Sequence, residues 1–363
     1  MKLRLSLANF LQVFPFCLVL VHGVFLRGGL NNEYHWAIVF SMGLYSALQV
    51  GGVWLISWMP RRVLTETYFW NALRVLGGVF YLVDNSFLII LGAGLIGLSQ
   101  ALFYRFSRQM VSNFWKSNQT EVDQVYTLMA LALNIAFLIL PVTGAALIKY
   151  FSTSILMGVA ILFSIAGVLL IKGAQDHWRG DCQNNEDHVV QSKNSNEVIS
   201  ETKLNLREVF EDLFYLGSFV IPYGIMVALI PLKTKASGMS IDTNGKLFSL
   251  NAFVVISVLI IKSFFAKASL SKLDLTKSLS SMSFISWILV ILSGLAPLNW
   301  LVLAFVVWSL FEALQLPTIE RHIFSNRSYS SKWVDRILVI DALGSFAAPL
   351  FASMLISLQG GIF

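Results

Sequence analysis

The chain has 363 residues, of which 56% are hydrophobic and 13% are charged, with a formal net charge of +6. Soluble globular domains carry about a quarter of charged residues, so this composition excludes an ordinary soluble domain and indicates a polytopic membrane protein. The basic residues are scattered between apolar runs, so the charge does not indicate a nucleic-acid partner, and two cysteines provide no disulfide framework.

A helix of about 20 largely apolar residues crosses the hydrocarbon core of a bilayer. On this criterion the sequence predicts eleven spans, at residues 7–27, 36–58, 64–84, 86–106, 124–148, 153–172, 212–232, 246–266, 277–296, 298–318 and 334–357. No small-residue cleavage site follows the first run, which favours an uncleaved helix over a secretory signal peptide. The predicted fold class is therefore all-α.

The connections between the spans predict the orientation in the membrane. With the N-terminus inside, most basic residues fall in the inner connections, as the positive-inside rule requires. Lys233, Lys235 and Lys246 fall on the outer side and fit this rule least. We expect a multi-pass protein of the bacterial cytoplasmic (inner) membrane with its N-terminus inside.

A polar stretch divides the spans into six and five. Residues 173–211 are poor in large apolar side chains and are predicted to form a cytoplasmic linker. The linker separates an N-terminal six-helix bundle (1–172) from a C-terminal five-helix bundle (212–363). This is nearly the layout of a transporter built from two repeated halves of six spans, with the twelfth helix apparently absent. His177, Cys182 and His188 lie in the linker at no standard zinc-ligand spacing, which favours solvated side chains over a metal site.

The fifth span contains a proline and a glycine in an apolar run. Residues 140–144, Leu-Pro-Val-Thr-Gly, match the signal that sortases cleave, but six further spans follow, so a cleavage signal does not fit. Pro141 predicts a bent helix, and Gly144 permits a close neighbouring helix. A kink with only a packing role remains an alternative.

Several motifs resemble the major facilitator superfamily. Ala136, Leu140, Pro141, Gly144 and Ala145 follow the frame of the fifth-helix motif C found in its exporters, with Leu140 in place of a family glycine. Gly52, Arg61 and Arg62 follow motif A, which helps to gate the inner side. Ile56 replaces the motif's aspartate, and without the family the two arginines are explained as inside anchors.

Two further stretches resemble the macrolide-efflux and enterobactin-exporter branch of that superfamily. Arg108 and Gln109 match a pattern after the fourth helix, and Arg336 and Pro349 match the eleventh helix. The resemblance implies two helical bundles that export a small amphipathic compound, namely a drug, a siderophore or a peptide-like metabolite, by alternating access. Proton antiport is the expected coupling. The alternatives are an importer of a small solute on the same fold and a non-transporting receptor or truncated remnant.

Charged residues inside predicted spans are candidates for function, because a charge at the bilayer centre costs about 2.5–3.5 kcal/mol. Glu312 and Asp341 could bind and release a proton, or could form ion pairs with Arg321 or Arg336. Arg74 could bind an anionic group or have a structural role.

Neutral polar residues within the spans could line a substrate cavity or link helices by hydrogen bonds; these are Gln12, Gln49, Asn134 and Asn251. His22 in the first span is expected to be a packed histidine. The sequence offers no catalytic set, metal-ligand set or phosphate-binding loop, so no enzyme activity and no cofactor are predicted. The expected partners are a small-molecule substrate, the lipid bilayer and protons, with no nucleic acid; the oligomeric state is left open.

Overall fold

The computed structural model of the protein describes residues 2–26, 35–57, 67–114, 119–183, 221–264, 275–295, 298–325 and 331–358. Twelve α-helices account for almost all of these residues. They are α1 (Lys2–Phe16), α2 (Gly23–Leu26), α3 (His35–Ser57), α4 (Thr67–Leu82), α5 (Ser86–Phe114), α6 (Gln119–Ile148), α7 (Thr153–Gln183), α8 (Ile221–Ala236), α9 (Ile241–Phe264), α10 (Leu275–Leu295), α11 (Leu298–Ser325) and α12 (Ser331–Ser357). The all-α prediction is confirmed, since a helix satisfies its own backbone hydrogen bonds inside a bilayer.

A π-helical segment, Cys17–Val21, joins α1 to α2, so these three elements form the first predicted span. The amide nitrogen of His22 donates to the carbonyl oxygen of Cys17 at 2.9 Å, five residues earlier. Such a segment inserts one extra residue into a helical turn and redirects the side chains that follow it. The segment ends at His22.

Length and hydropathy support the membrane assignment. Within the described residues, five helical segments are long and apolar enough to cross a membrane, and three shorter apolar helices accompany them. The five are Lys2–Val21, Ser86–Tyr104, Leu131–Ile148, Thr153–Lys172 and Ile241–Ile261.

The observed helices overlap all eleven predicted spans, although several continue further. The sixth span was predicted to end at residue 172, whereas α7 continues to Gln183, so the first part of the predicted linker is helical. Residues 184–211, the remainder of that linker, lie outside the described residues. A helix can continue beyond the apolar stretch that starts it, so composition alone does not locate its end.

The helices pack as two groups. Helix α1 packs on α6 and α7, and α5 packs on α3 and α4; in the second group α8 packs on α12, and α11 packs on α9 and α10. Two long contacts join the groups, namely α3 against α12 and α6 against α9. We call the end of the bundle that carries the connection after α6 the Lys149 end, and the other end the Lys172 end.

Two of the three basic residues that fit the positive-inside rule least have structural roles at the Lys149 end. Lys233 is buried, and its Nζ donates to the carbonyl oxygens of Ser293 at 2.5 Å and Gly294 at 3.1 Å. These carbonyls belong to the last turn of α10, where a cation is favourable. The Nζ of Lys235 lies 5.2 Å from the centre of the Phe25 ring. Packing therefore accounts for these two cations independently of orientation in the membrane.

Candidate functional site

A carboxylate in the second helical group is held by neutral side chains. Asn251 Nδ2, on α9, lies 3.2 Å from Glu312 Oε2 and 2.7 Å from Ser309 Oγ. The hydroxyl of Tyr223, on α8, also forms a hydrogen bond with the Glu312 carboxylate. We call Tyr223, Asn251, Ser309 and Glu312 the Glu312 cluster. Among the described residues, every hydrogen-bond partner of Glu312 is uncharged.

The Glu312 cluster faces the interior of the protein. Leu303 and Leu310 are exposed on α11 and mark its lipid-facing side. Glu312 is nine residues after Leu303, which places it about 180° around the helix. On α9 the exposed Ile260 follows Asn251 by nine residues and gives the same result. Tyr223, Asn251 and Glu312 are partly buried and Ser309 is buried, so the cluster points away from the lipid.

The first group contains a polar network that is almost completely buried. Arg74 is 1% exposed, and its Nη1 donates to the Ser164 carbonyl oxygen at 2.9 Å. Its Nε donates to Ser99 Oγ at 3.0 Å, and its Nη2 to the Ser99 carbonyl oxygen at 3.3 Å. One guanidinium group therefore links α4, α5 and α7.

Gln12 and Gln100 extend this network to two more helices. Gln12 Nε2 also donates to the Ser164 carbonyl oxygen at 3.0 Å, and Gln100 Nε2 donates to the Gln12 carbonyl oxygen at 3.0 Å. Tyr45 on α3 donates its hydroxyl to Gln100 Oε1 at 2.5 Å. Each additional hydrogen bond restrains a helix of the first group. The sequence-predicted residues Gln12 and Arg74 thus lie in a helix-linking network, whereas Gln49 and Asn134 are partly exposed on α3 and α6.

Three helices meet at the fifth-span proline. His22 Nε2 lies 3.0 Å from the carbonyl oxygen of Pro141, to which it donates. A Cβ atom on Gly245 of α9 would collide with that same oxygen, and a Cβ on Gly144 would lie 3.2 Å from His22 Nε2. Glycine is therefore needed where α6 and α9 cross. Of the two conspicuous residues of the fifth span, Pro141 meets both His22 and α9, and Gly144 packs against His22.

Asn244 strengthens the same crossing by donating from Nδ2 to the Val21 carbonyl oxygen at 2.5 Å. We call Val21, His22, Pro141, Asn244 and Gly245 the Pro141 joint. It connects the first helical group, through α1 and α6, to the second group through α9.

Further contacts join the two groups at the Lys149 end. Lys149 forms an ion pair with Asp242, and His35 Nε2 lies 3.3 Å from Ser353 Oγ. Together with the Pro141 joint and the contact between Lys235 and Phe25, they link α3, α6 and the first span to α8, α9 and α12. The Lys149 end is therefore closed in this conformation.

The motif A region is described only in part. Gly52 packs on α5, where a Cβ atom would lie 2.9 Å from Leu98 Cδ1 and 3.1 Å from Ala101 Cβ. Arg61 and Arg62 lie outside the described residues. So do the side chains of Asp341, Arg321, Arg336, Arg108 and Gln109, whereas Pro349 is described and lies buried inside α12.

The architecture is that of a transporter with two helical bundles. Two long helix contacts join the bundles, and one of them includes the glycine crossing at Pro141. The sequence profile of the Major Facilitator Superfamily matches residues 8–326. The chain belongs to the major facilitator superfamily. This superfamily member is a multi-pass membrane transporter of a small molecule and not an enzyme.

Solved structures share this fold along nearly the whole chain. A POT family transporter in complex with a thioalcohol-conjugated peptide is similar with a TM-score of 0.70 and 14% identity, covering 99% of this chain and 93% of that chain. A POT family transporter with 5-aminolevulinic acid has a TM-score of 0.69, 14% identity and the same coverage. A glutamate-to-glutamine mutant of a POT peptide transporter has a TM-score of 0.66 and 15% identity, covering 99% of this chain and 91% of that chain. No curated protein matches this superfamily member by sequence.

Sequence reasoning missed several residues of these sites. Tyr223 and Ser309 join the Glu312 cluster, and Asn244 and Gly245 join the Pro141 joint. The adjacent Asn244 and Gly245 at the start of an apolar run were a usable signal, because small and polar residues in spans mark helix contacts. No local pattern distinguishes Tyr223 or Ser309 from other polar residues in the chain.

Proposed function

We propose that this superfamily transporter exports a small amphipathic compound in exchange for protons, and that Glu312 binds and releases the proton. The observation that carries the proposal is the set of neutral partners around Glu312. Tyr223 and Asn251 can donate to a carboxylate, and both also have an oxygen that can accept from a carboxylic acid. No basic side chain among the described residues forms an ion pair with the Glu312 carboxylate, so its neighbours can accommodate either protonation state.

Asp341 is our second candidate for proton transfer, through its position on α12. For the opposite end of the bundle, Gly52, Arg61 and Arg62 remain the proposed gate. Export is supported by the motif C frame around Pro141 and by the branch pattern at Arg108 and Gln109. We place the N-terminus and the Lys172 end on the cytoplasmic side of the bacterial inner membrane.

Import of a peptide-like solute is the second candidate, because solved peptide transporters share the fold. At 14–15% identity these structures support the architecture alone. Import and export predict opposite directions of proton movement when substrate is supplied from one side, so one assay separates them.

The test uses inside-out membrane vesicles that contain the full chain and are acidified inside, with a pH-sensitive dye. A panel of macrolides, catecholate siderophores and dipeptides is added outside. For an exporter coupled to protons, an active compound should release protons from the vesicle lumen. The Glu312→Gln variant should lose this release, because an amide cannot bind and release a proton, while exchange of labelled compound across the membrane persists.

Asp84→Asn is the matched control, since Asp84 is an exposed carboxylate in the connection after α4. It should retain proton release. Proton release by Glu312→Gln at the wild-type rate would refute the assigned role of Glu312. Uptake of a dipeptide together with protons into right-side-out vesicles would replace export by import.

A further inference from the structure

The Pro141 joint contains a histidine that is completely buried between the two helical groups. His22 and Asn244 are both 0% exposed, although each has hydrogen-bonding atoms on its side chain. The side chain of His22 extends from the first span to α6, and α9 packs against the same Pro141 oxygen. Any motion that separates α6 and α9 at this end must therefore change the surroundings of His22.

The geometry defines the protonation of His22 in the closed conformation. A carbonyl oxygen only accepts hydrogen bonds, so the proton of a neutral imidazole lies on Nε2, facing Pro141. The other nitrogen, Nδ1, is buried and has no hydrogen-bond partner among the described residues. A second proton on Nδ1 would create a charged N–H group without an acceptor in a site that excludes water, which is unfavourable.

The ionisable groups near this end provide no counter-ion for a charged His22. Among the described residues, the ionisable side chains at this end of the bundle are Cys17, His35, Tyr81, Asp84, Lys149, Lys233, Lys235, Asp242 and Lys246. Of the two carboxylates, Asp242 already forms an ion pair with Lys149, and Asp84 is exposed in the connection after α4. Neither carboxylate forms an ion pair with His22, so a second proton on the imidazole would have no counter-charge in the closed joint.

We propose that the Pro141 joint is a gate that opens when His22 is protonated. Neutral His22 holds the Lys149 end closed, and protonation of Nδ1 opens it, because an open joint lets water solvate the new charge. Proton binding that favours the open conformation raises the ratio of open to closed molecules as pH falls, by at most about tenfold for each pH unit. The gate depends on separation of the two helical groups at the Lys149 end. It does not depend on the proposed substrate, the direction of transport or the role of Glu312.

The test measures the distance across the Lys149 end by electron paramagnetic resonance. Spin labels are placed at Tyr150 and Met239, which are exposed in the connections after α6 and α8, in full-length protein with Cys17→Ala and Cys182→Ser. Between about pH 8 and about pH 5, across the usual titration range of histidine, the longer-distance population should grow at least about tenfold relative to the shorter one.

His22→Gln separates protonation from packing. Its amide nitrogen can donate to the Pro141 oxygen as His22 Nε2 does, but it does not titrate, so the short distance should persist across the pH range. His22→Ala removes the donor and should increase the long-distance population at high pH. His35→Gln is the matched control, because His35 contacts Ser353 on the other side of the same end, and it should keep the wild-type response.

Two results would overturn the proposal. One is a wild-type distance distribution that does not change with pH, which requires no variant to fold. The other is a pH response in His22→Gln equal to that of the wild type. Loss of the response in His35→Gln with its retention in His22→Gln would assign the gate to α3 and α12 instead.

Discussion

At the crossing of α6 and α9, the single methyl group added by Gly245→Ala should strongly change the equilibrium between the closed and open conformations. An alanine Cβ at this position would overlap the Pro141 carbonyl oxygen, and would lie 3.0 Å from the Pro141 carbonyl carbon and 3.3 Å from Ala145 Cβ. A carbon atom next to a carbonyl oxygen normally stays about 3.3–3.6 Å away. The two helices must therefore separate before the methyl group fits.

Overpacking of this kind costs about 1–3 kcal/mol. The cost applies to the closed conformation, where α6 and α9 touch, and is relieved when they separate. The equilibrium should therefore shift toward the open conformation by about 5–150-fold. Alanine also favours the helix over glycine by about 1 kcal/mol, but this gain is equal in both conformations and leaves the gate unchanged.

The spin labels at Tyr150 and Met239 measure this shift at about pH 8, where His22 is neutral. Gly158→Ala is the matched control, because Gly158 is also a helical glycine and a Cβ there would meet no atom within 4 Å. The control should gain the same helix stability without any change in distance. Equal distance distributions for Gly245→Ala, Gly158→Ala and the wild type would refute the inferred contact.

Two other predictions concern the buried network and the transport cycle. Arg74→Lys should lower the stability of the detergent-solubilised protein by about 2–4 kcal/mol, because one ammonium group cannot replace the guanidinium contacts to both Ser99 and Ser164. Thermal unfolding measures this change, and unchanged stability would contradict the role of Arg74 in linking the helices. Pro141→Ala and Asp341→Asn should each reduce flux of the active compound while the amount of protein in the membrane stays normal, and wild-type flux in both would contradict their assigned roles.

The sequence alone determined the class of the protein and the number of its apolar segments. Eleven hydrophobic runs and one polar interruption predict the helical architecture, since a bilayer leaves a chain no other way to satisfy its backbone. The Pro141 motif was also visible locally, because proline and glycine act through the backbone of their own helix. Glu312 was identified as a candidate functional residue from the sequence, because inserting an ionisable group of an apolar run into the bilayer costs free energy.

Tertiary structure decided what these residues touch. The sequence favoured a structural role for Gln12, Arg74 and Asn251 but left a cavity role open for each, and folding placed the first two in the buried network and the third beside Glu312. The partners of Arg74 are 25 and 90 residues away along the chain. His22 meets Pro141 across 119 residues, after a π-helical turn redirects its side chain. Contacts over such separations depend on how helices rotate and cross, and a local pattern carries no record of that geometry.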